Sequence, residues 1–271
     1  MTEPAESAEP ERHRAGPRRA ARTPRRKRSA GEVVLTVIGE LLITAGVLVG
    51  LFLGWQVWWN NLVLSGQQTS AAATQSKKWI DDAIKAPRPT PTDPSSPEAV
   101  DPPVMAQPAD YEPFAVIYIP RLGPDWKRTI RETVDVEKVL NSYTAGVGHY
   151  AGTAMPGAVG NFAVAGHDSG WGNTFIDLSK LELGDRIYVQ TKDGWYTYVF
   201  RNFEFVQPTQ VQVIASVPRH PDVQPIDRLM TITTCNPPFH AGERLIAYNV
   251  YAGFQPTQDV PNEIRAAVTG G

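Results

Sequence analysis

The feature that most constrains this chain is an apolar run of nineteen residues, 41–59, that contains no charged side chain. An α-helix rises about 1.5 Å per residue, so this run is long enough to cross a bilayer core of about 30 Å. Trp55, Trp58 and Trp59 cluster at its C-terminal end, where indole rings favour the headgroup interface. The apolar segment 33–59 is therefore predicted to be a single transmembrane helix.

The charges on either side of this segment predict its orientation. Seven Lys and Arg residues lie between Arg18 and Arg28, whereas only Lys77, Lys78 and Lys85 lie between residues 60 and 85. This positive-inside pattern places the N-terminus in the cytoplasm and the rest of the chain outside. A cleaved signal peptide is the alternative, but the apolar run exceeds the usual 7–15 residues of such a peptide. The membrane also explains the basic arm better than a nucleic acid does, so we expect no nucleic-acid partner.

The other segments differ in composition. Residues 1–32 are rich in Arg, Pro, Ala and Glu without apolar periodicity and are predicted to be a disordered cytoplasmic tail. Residues 60–110 contain many prolines and are predicted to be an extended extracellular linker. Residues 111–255 are predicted to form one globular domain, and the polar tail 256–271 is predicted to fray. A core of about 150 residues is large enough for one barrel or sandwich.

Strand and turn signals predict the fold of the globular domain. Residues 114–119 form an apolar run that a proline ends, and 161–165 is a second strand-like run among glycines. The Asp193-Gly194 turn predicts a hairpin between residues 187–190 and 195–205. Several short strands with turn signals and little helix predict a closed all-β barrel.

Cys235 is the single cysteine of the chain, so neither an intrachain disulfide nor a cysteine-based zinc site can form. It follows the predicted strand 229–234, which Asn236-Pro237-Pro238 ends because proline has no N–H for the ladder. The second strand, 245–251, follows closely enough for an antiparallel hairpin. If the two strands pair, Arg244 lies near Cys235, where a guanidinium favours the thiolate and can donate to an oxyanion. A buried, inert thiol is the alternative.

These residues carry a family resemblance. Residues 231–235, Thr-Ile-Thr-Thr-Cys, with Arg244 nine residues later, resemble the signature of the sortases, cysteine transpeptidases of Gram-positive cell surfaces. The Thr-Thr-Cys-Asn-Pro variant, behind an N-terminal signal anchor, is most similar to the class E sortases of actinobacteria. Residues 118–123 and the segment 146–167, which ends in Gly-His, also resemble the family pattern. The resemblance covers roughly residues 111–255 and implies a closed sortase-type eight-stranded β-barrel with short helices.

The resemblance implies three catalytic residues. Cys235 is expected to be the nucleophile, His167 the imidazolium that protonates the leaving amine, and Arg244 the donor to the oxyanion. The residues alone leave the choice of histidine open, although His167 directly follows a strand and can face the same barrel rim as Cys235. His220 and His240 are interpreted as surface residues.

Two further residues are expected to support the substrate or the oxyanion. Alternation points the Thr234 side chain away from the Cys235 face, but the resemblance implies a contribution from this threonine. His149 is expected either to be a structural hydrogen-bonding residue or to support the edge of the site. Asp168 occupies a position where the family often carries arginine, which puts a substrate contact at this position in doubt. We expect no metal and no cofactor.

The resemblance also implies the reaction and the partners. A secreted protein with a C-terminal Leu-Ala/Pro-x-Thr-Gly-type signal would be cleaved between Thr and Gly and joined to an amine of a peptidoglycan precursor. The enzyme would be a single-pass membrane protein with an extracellular catalytic domain. An L,D-type cysteine transpeptidase is less well supported, because its Ser-His-Gly-Cys arrangement is missing. An inactive, membrane-anchored β-barrel binding module with a buried Cys235 is the alternative from another functional class.

Overall fold

The computed structural model describes residues 29–85 and 101–270. The predicted basic tail, apart from its last few residues, and the proline-dense stretch 86–100 lie outside these described residues. The chain divides into two units, one ending at Gly50 and one comprising Leu51–Gly271.

The first helix, α1, covers Ala30–Gly54. Ser29 and Glu32 form a capping box at its start, in which each side chain accepts a hydrogen bond from the other residue's backbone N–H. By length and composition α1 could cross a membrane, and none of its residues is buried. A π-helical turn, Trp55–Trp59, follows directly. The predicted segment 33–59 is thus helical throughout, and its insertion in a membrane stays a prediction.

Residues 60–85 correct the predicted linker, because they form a second helix, α2 (Asn60–Lys85). The prolines of the predicted linker begin only at Pro87, so no proline interrupts a helix between residues 60 and 85. Leu64 and Ala72 are buried, and Trp79 packs against the hydrophobic cluster that contains Ala72. Burial of one helix face against the rest of the unit, rather than local propensity, stabilises this segment.

Eight strands form a closed barrel, which confirms the predicted fold. They are joined in the order β1-β2-β3-β4-β7-β8-β6-β5, and β5 closes the barrel by pairing with β1. The β2–β3 and β4–β7 pairs are parallel, and the others are antiparallel. The strands are β1 (Pro113–Tyr118), β2 (Lys127–Glu132), β3 (Val147–His149), β4 (Gly160–Gly166), β5 (Arg186–Gln190), β6 (Gly194–Val206), β7 (Arg228–Asn236) and β8 (Glu243–Pro256).

The side chains of β7 alternate between the core of the barrel and its outer face. Met230 and Ile232 belong to the main hydrophobic cluster. Because side chains alternate along a strand, Thr231, Thr233 and Cys235 point to the opposite side. The cysteine therefore lies on the outer face, at the end of a strand whose other face is held by the core.

The C-terminal segment is ordered, in contrast to the predicted frayed tail. Strand β8 extends to Pro256, and a short helix, α3 (Arg265–Thr269), follows a 3₁₀ turn. Ile264 and Ala267 are buried in the same cluster as Tyr118 and Trp195. These buried residues, together with the hydrogen bonds from Lys127 Nζ to the Ala267 carbonyl and from the Tyr188 hydroxyl to Glu263, hold this segment on the barrel.

Candidate active site

The end of β7 presents Cys235, which is partly buried. The strand ends at Asn236, and a short connection leads to β8. The sequence therefore predicts correctly that the thiol lies at the end of a strand, because Pro237 stops the ladder after Asn236.

Arg244 is the cross-strand partner of Cys235 in the β7–β8 pair. Its Nη1 atom donates to the backbone carbonyls of Ala241, at 3.1 Å, and Glu243, at 3.0 Å. The guanidinium charge lowers the pKa of the Cys235 thiol, although burial has the larger effect and raises that pKa. The hairpin thus brings a cation to the thiol, as the sequence predicts.

His167 follows the last residue of β4, the strand parallel to β7. The last pair in this ladder joins Ala165 to Thr233, so His167 and Cys235 each lie two residues beyond it. Neighbouring strands lie about 4.8 Å apart. The register therefore brings the imidazole and the thiol to the same edge of the barrel from positions far apart in the chain.

The imidazole is oriented by Asn141, a residue that the sequence analysis missed. His167 Nε2 donates to Asn141 Oδ1 at 2.9 Å, which leaves Nδ1 as the other ring nitrogen for proton transfer. Burial lowers the pKa of His167, and the neighbouring Asp168 carboxylate partly opposes this change. No local pattern marks Asn141, because it reaches the histidine only through the folding of the loop after residues 136–140.

Asp168 is buried beside both reactive groups. Ser169 Oγ donates to its Oδ1 at 2.8 Å, and the backbone N–H of Phe239 donates to Ser169 Oγ at 2.8 Å. Among the described residues no group donates to Asp168 Oδ2. Its negative charge raises the pKa of both His167 and Cys235. A carboxylate at this position therefore favours the imidazolium but opposes the thiolate.

Thr234 and Thr233 have different surroundings. Thr234 is buried, and its Oγ1 donates to the Gly166 carbonyl at 2.9 Å, which ties β7 to the end of β4. Thr233 shares the outer face with Cys235, and its Oγ1 lies 2.9 Å from the Tyr150 hydroxyl. The Thr234 side chain thus supports the strand pair below the site. The alternation of side chains along β7 could have identified Thr233 as the threonine that shares the face of Cys235.

His149 is not at the site, which corrects one of the two roles expected for it. It pairs with Val164, which in turn pairs with Ile232, three residues before Cys235. Its side chain is fully buried, with Nδ1 2.7 Å from Glu132 Oε2 and Nε2 2.8 Å from Thr153 Oγ1. It is therefore a structural residue of the barrel.

The remaining histidines of the globular domain, His220 and His240, are exposed. Within residues 29–85 and 101–270, no group of three His, Cys, Asp or Glu side chains is arranged to hold a metal ion. The arrangement at the edge of the barrel comprises a thiol, an imidazole and a guanidinium. These groups suit nucleophilic catalysis with proton transfer and oxyanion stabilisation.

Comparison with known proteins shows the family to which this chain belongs. The family model described as Sortase domain matches residues 117–252. Sortase SrtE1 of Streptomyces coelicolor is 34% identical over 240 residues, which cover 85% of this chain and 60% of SrtE1. The chain therefore matches less than two thirds of the length of that relative.

Solved structures give the same result for the barrel. Sortase E from Streptomyces avermitilis is 38% identical, with a TM-score of 0.52 over 58% of this chain and 99% of that one. The SrtA sortase from Actinomyces oris is 34% identical, with a TM-score of 0.56 over 61% of this chain and 94% of that one.

Proposed function

Because the chain belongs to the sortase family, we propose that it is a membrane-anchored cysteine transpeptidase in which Cys235, His167 and Arg244 perform the reaction. The single observation that carries this proposal is the double register of β7. Its parallel pairing with β4 brings His167 level with Cys235, and its antiparallel pairing with β8 puts Arg244 opposite. Cys235 and Arg244 thus lie on adjacent strands, and His167 directly follows the third, at one edge of the barrel.

The first half of the reaction forms a thioester. The Cys235 thiolate attacks the Thr carbonyl carbon of a Leu-Ala/Pro-x-Thr-Gly-type signal, and the carbonyl oxygen becomes an oxyanion. The Arg244 guanidinium turns away from the Ala241 and Glu243 carbonyls to donate to this oxyanion. His167, as imidazolium, gives its proton to the glycine nitrogen as the Thr–Gly bond breaks. The signal residues follow from family membership and are part of the proposal.

The second half transfers the acyl group. An amine of a peptidoglycan precursor attacks the thioester, His167 takes the proton from that amine, and Cys235 leaves as thiolate. The secreted protein is then joined to the wall precursor by an amide bond. Water in place of the amine would give hydrolysis.

A membrane anchor is consistent with a reaction at the outer surface of the cell. Helix α1 could hold the enzyme at the membrane, and the basic residues before it are expected to keep the N-terminus in the cytoplasm. The catalytic domain would then lie outside the cell, where its two substrates meet. Thr234 supports the site through its bond to Gly166.

An inactive, membrane-anchored binding module is the alternative function. It is favoured by the partial burial of Cys235, which raises the pKa of the thiol. In that case the thiol of the folded protein would resist a methanethiosulfonate reagent, whereas a nucleophile should react.

The deciding experiment is a transpeptidation assay on the full chain in detergent micelles. Leu-Ala-x-Thr-Gly and Leu-Pro-x-Thr-Gly peptides are offered with a primary amine, and the products are identified by mass spectrometry. We expect cleavage between Thr and Gly that is abolished in Cys235→Ala and in His167→Ala but persists in His220→Ala, the exposed-histidine control. Absence of cleavage together with an unreactive thiol would support the binding module.

A further inference from the structure

Helix α2 has an unusual buried face. The residues on this face recur every three or four positions and include two amides, Asn61 and Gln68, among small and apolar side chains. Buried amides destabilise a helix face unless they find partners. Their presence on a face that packs against the barrel indicates that they bond to something specific.

Gln68 is completely buried. Its Nε2 atom donates to the backbone carbonyl of Ser142 at 2.9 Å and to that of Trp171 at 3.2 Å. The two carbonyls belong to two different loops. One side chain of α2 therefore bonds to two segments that are far apart in the sequence.

Both of these loops contact His167, one at its ring and the other at its backbone. Ser142 directly follows Asn141, the residue whose Oδ1 accepts from His167. Trp171 lies in the segment after His167, which closes where the Phe175 N–H donates to the His167 carbonyl at 2.7 Å. Gln68 thus connects the loop that orients the ring to the loop that carries its backbone.

Two glycines allow this close approach. A Cβ on Gly172 would lie 2.5 Å from Gln68 Oε1, and a Cβ on Gly146 would lie 3.0 Å from Gln68 Nε2. Both glycines also have positive φ, +88° and +96°, which other residues rarely adopt. The absence of a Cβ at these two positions therefore leaves space between the loops for the Gln68 side chain.

We propose that Gln68 is a positioning residue for the sortase reaction, and that α2, the helix next to the membrane anchor, is a working part of the catalytic domain. Gln68 holds the loops of residues 141–146 and 168–174 so that Asn141 fixes the His167 ring toward the thiol. This inference rests on the proposed function. It gives the segment after the anchor a role in catalysis rather than that of a spacer.

The test compares Gln68→Met with Gln67→Met in the full chain in micelles. Methionine keeps the length and packing of the side chain but removes the donor, and Gln67 is the exposed neighbour on the same helix. We expect Gln68→Met to lower kcat at least tenfold with KM changed less than threefold, because ring orientation affects the chemical step more than binding. Gln67→Met should match the wild type. Equal kcat in both variants would overturn the inference.

A second control separates positioning from simple docking of the helix. Arg128 donates to Ser65 Oγ at 2.7 Å and to Thr69 Oγ1 at 2.9 Å, contacts that hold α2 without touching either loop. The Ser65→Ala/Thr69→Ala double variant should lower Tm but leave kcat unchanged. A tenfold loss of kcat in this variant would show that any loosening of α2 is sufficient, which contradicts a specific role for Gln68.

A double-mutant cycle gives the sharpest result. If Gln68 acts through Asn141, the Gln68→Met change should have little further effect on kcat in an Asn141→Ala background. Multiplicative losses would overturn the proposal. Gln68→Asn, which keeps the amide but shortens it by one methylene, is the milder variant if Gln68→Met does not fold, and it should change kcat in the same direction. A wild-type chain without activity would contradict the proposed function instead.

Discussion

Arg244 lies directly opposite Cys235 in the antiparallel β7–β8 pair, and its guanidinium donates to the carbonyls of Ala241, in the connection, and Glu243, at the start of β8. The cation is thus held near the thiol by the hairpin itself. This relationship requires only a short connection after a strand end, so it is a local property of the sequence.

Removal of this cation should make the thiol harder to ionise. In Arg244→Gln the pKa of Cys235 should rise, because Arg244 lowers it in the wild type. The pH profile of iodoacetamide alkylation should therefore move to higher pH, and kcat should fall by about 10²–10³, as for the loss of an oxyanion donor. Arg201→Gln, at an exposed position on β6, is the control. An unchanged alkylation profile would contradict the electrostatic role of Arg244.

Removal of the neighbouring carboxylate should have the opposite effect on the thiol. The Asp168 charge raises the pKa of Cys235 and of His167, so in Asp168→Asn both pKa values should fall. The alkylation profile should move to lower pH, and the His167 titration followed by NMR should do the same. Asp222→Asn, at an exposed position, should change neither. A shift to higher pH would refute this assignment.

Loss of the Asn141 amide should slow the chemical step. Without the 2.9 Å bond to His167 Nε2, the ring can rotate away from the thiol. We expect Asn141→Ala to lower kcat by about 10- to 100-fold with a small change in Tm, since small misplacements of a catalytic group have effects of this size. The exposed Asn202 provides the control, Asn202→Ala. Wild-type turnover in Asn141→Ala would exclude a positioning role.

The buried His149–Glu132 pair should matter for stability rather than for catalysis. His149→Ala removes the partner of Glu132 Oε2, and within residues 29–85 and 101–270 the buried side chain then keeps the hydrogen bond from Gln107. A buried acceptor left without its partner costs about 1–3 kcal/mol, and Tm should fall by roughly 2–4 °C for each kcal/mol. Thermal unfolding measured by circular dichroism tests this, with His220→Ala as the control. A loss of kcat without a loss of Tm would mean that His149 acts in catalysis and contradict its structural role.

The C-terminal segment should also contribute to stability. Ile264, directly before α3, is 2% exposed, so Ile264→Ala should cost about 2–5 kcal/mol, as for other buried Ile-to-Ala changes. Ile226, which is 83% exposed, supplies the matched variant Ile226→Ala, for which no change is expected. Chemical denaturation measures both free energies of unfolding. Equal values would mean that the segment frays, as predicted from its polar composition.

The sequence by itself determined the elements whose signals lie within a few neighbouring residues. Alternation and turn residues predict the strands and hence the barrel, and Pro237 ends β7 one residue after Cys235. The same short-range logic places Arg244 opposite the thiol, because only seven residues lie between Asn236 and Arg244.

Only the tertiary structure decided the contacts that depend on distant pairing. The parallel register between β4 and β7 brings His167 level with Cys235, and it also puts His149 three residues too far down the barrel to reach the thiol. Helix α2 is buried against a barrel surface made by residues that follow it in the sequence. Its own polar composition does not reveal that surface, so it predicted a linker. Asn141 and Gln68 carry no local signal, because an amide becomes a positioning group only when folding places its partner within hydrogen-bond distance.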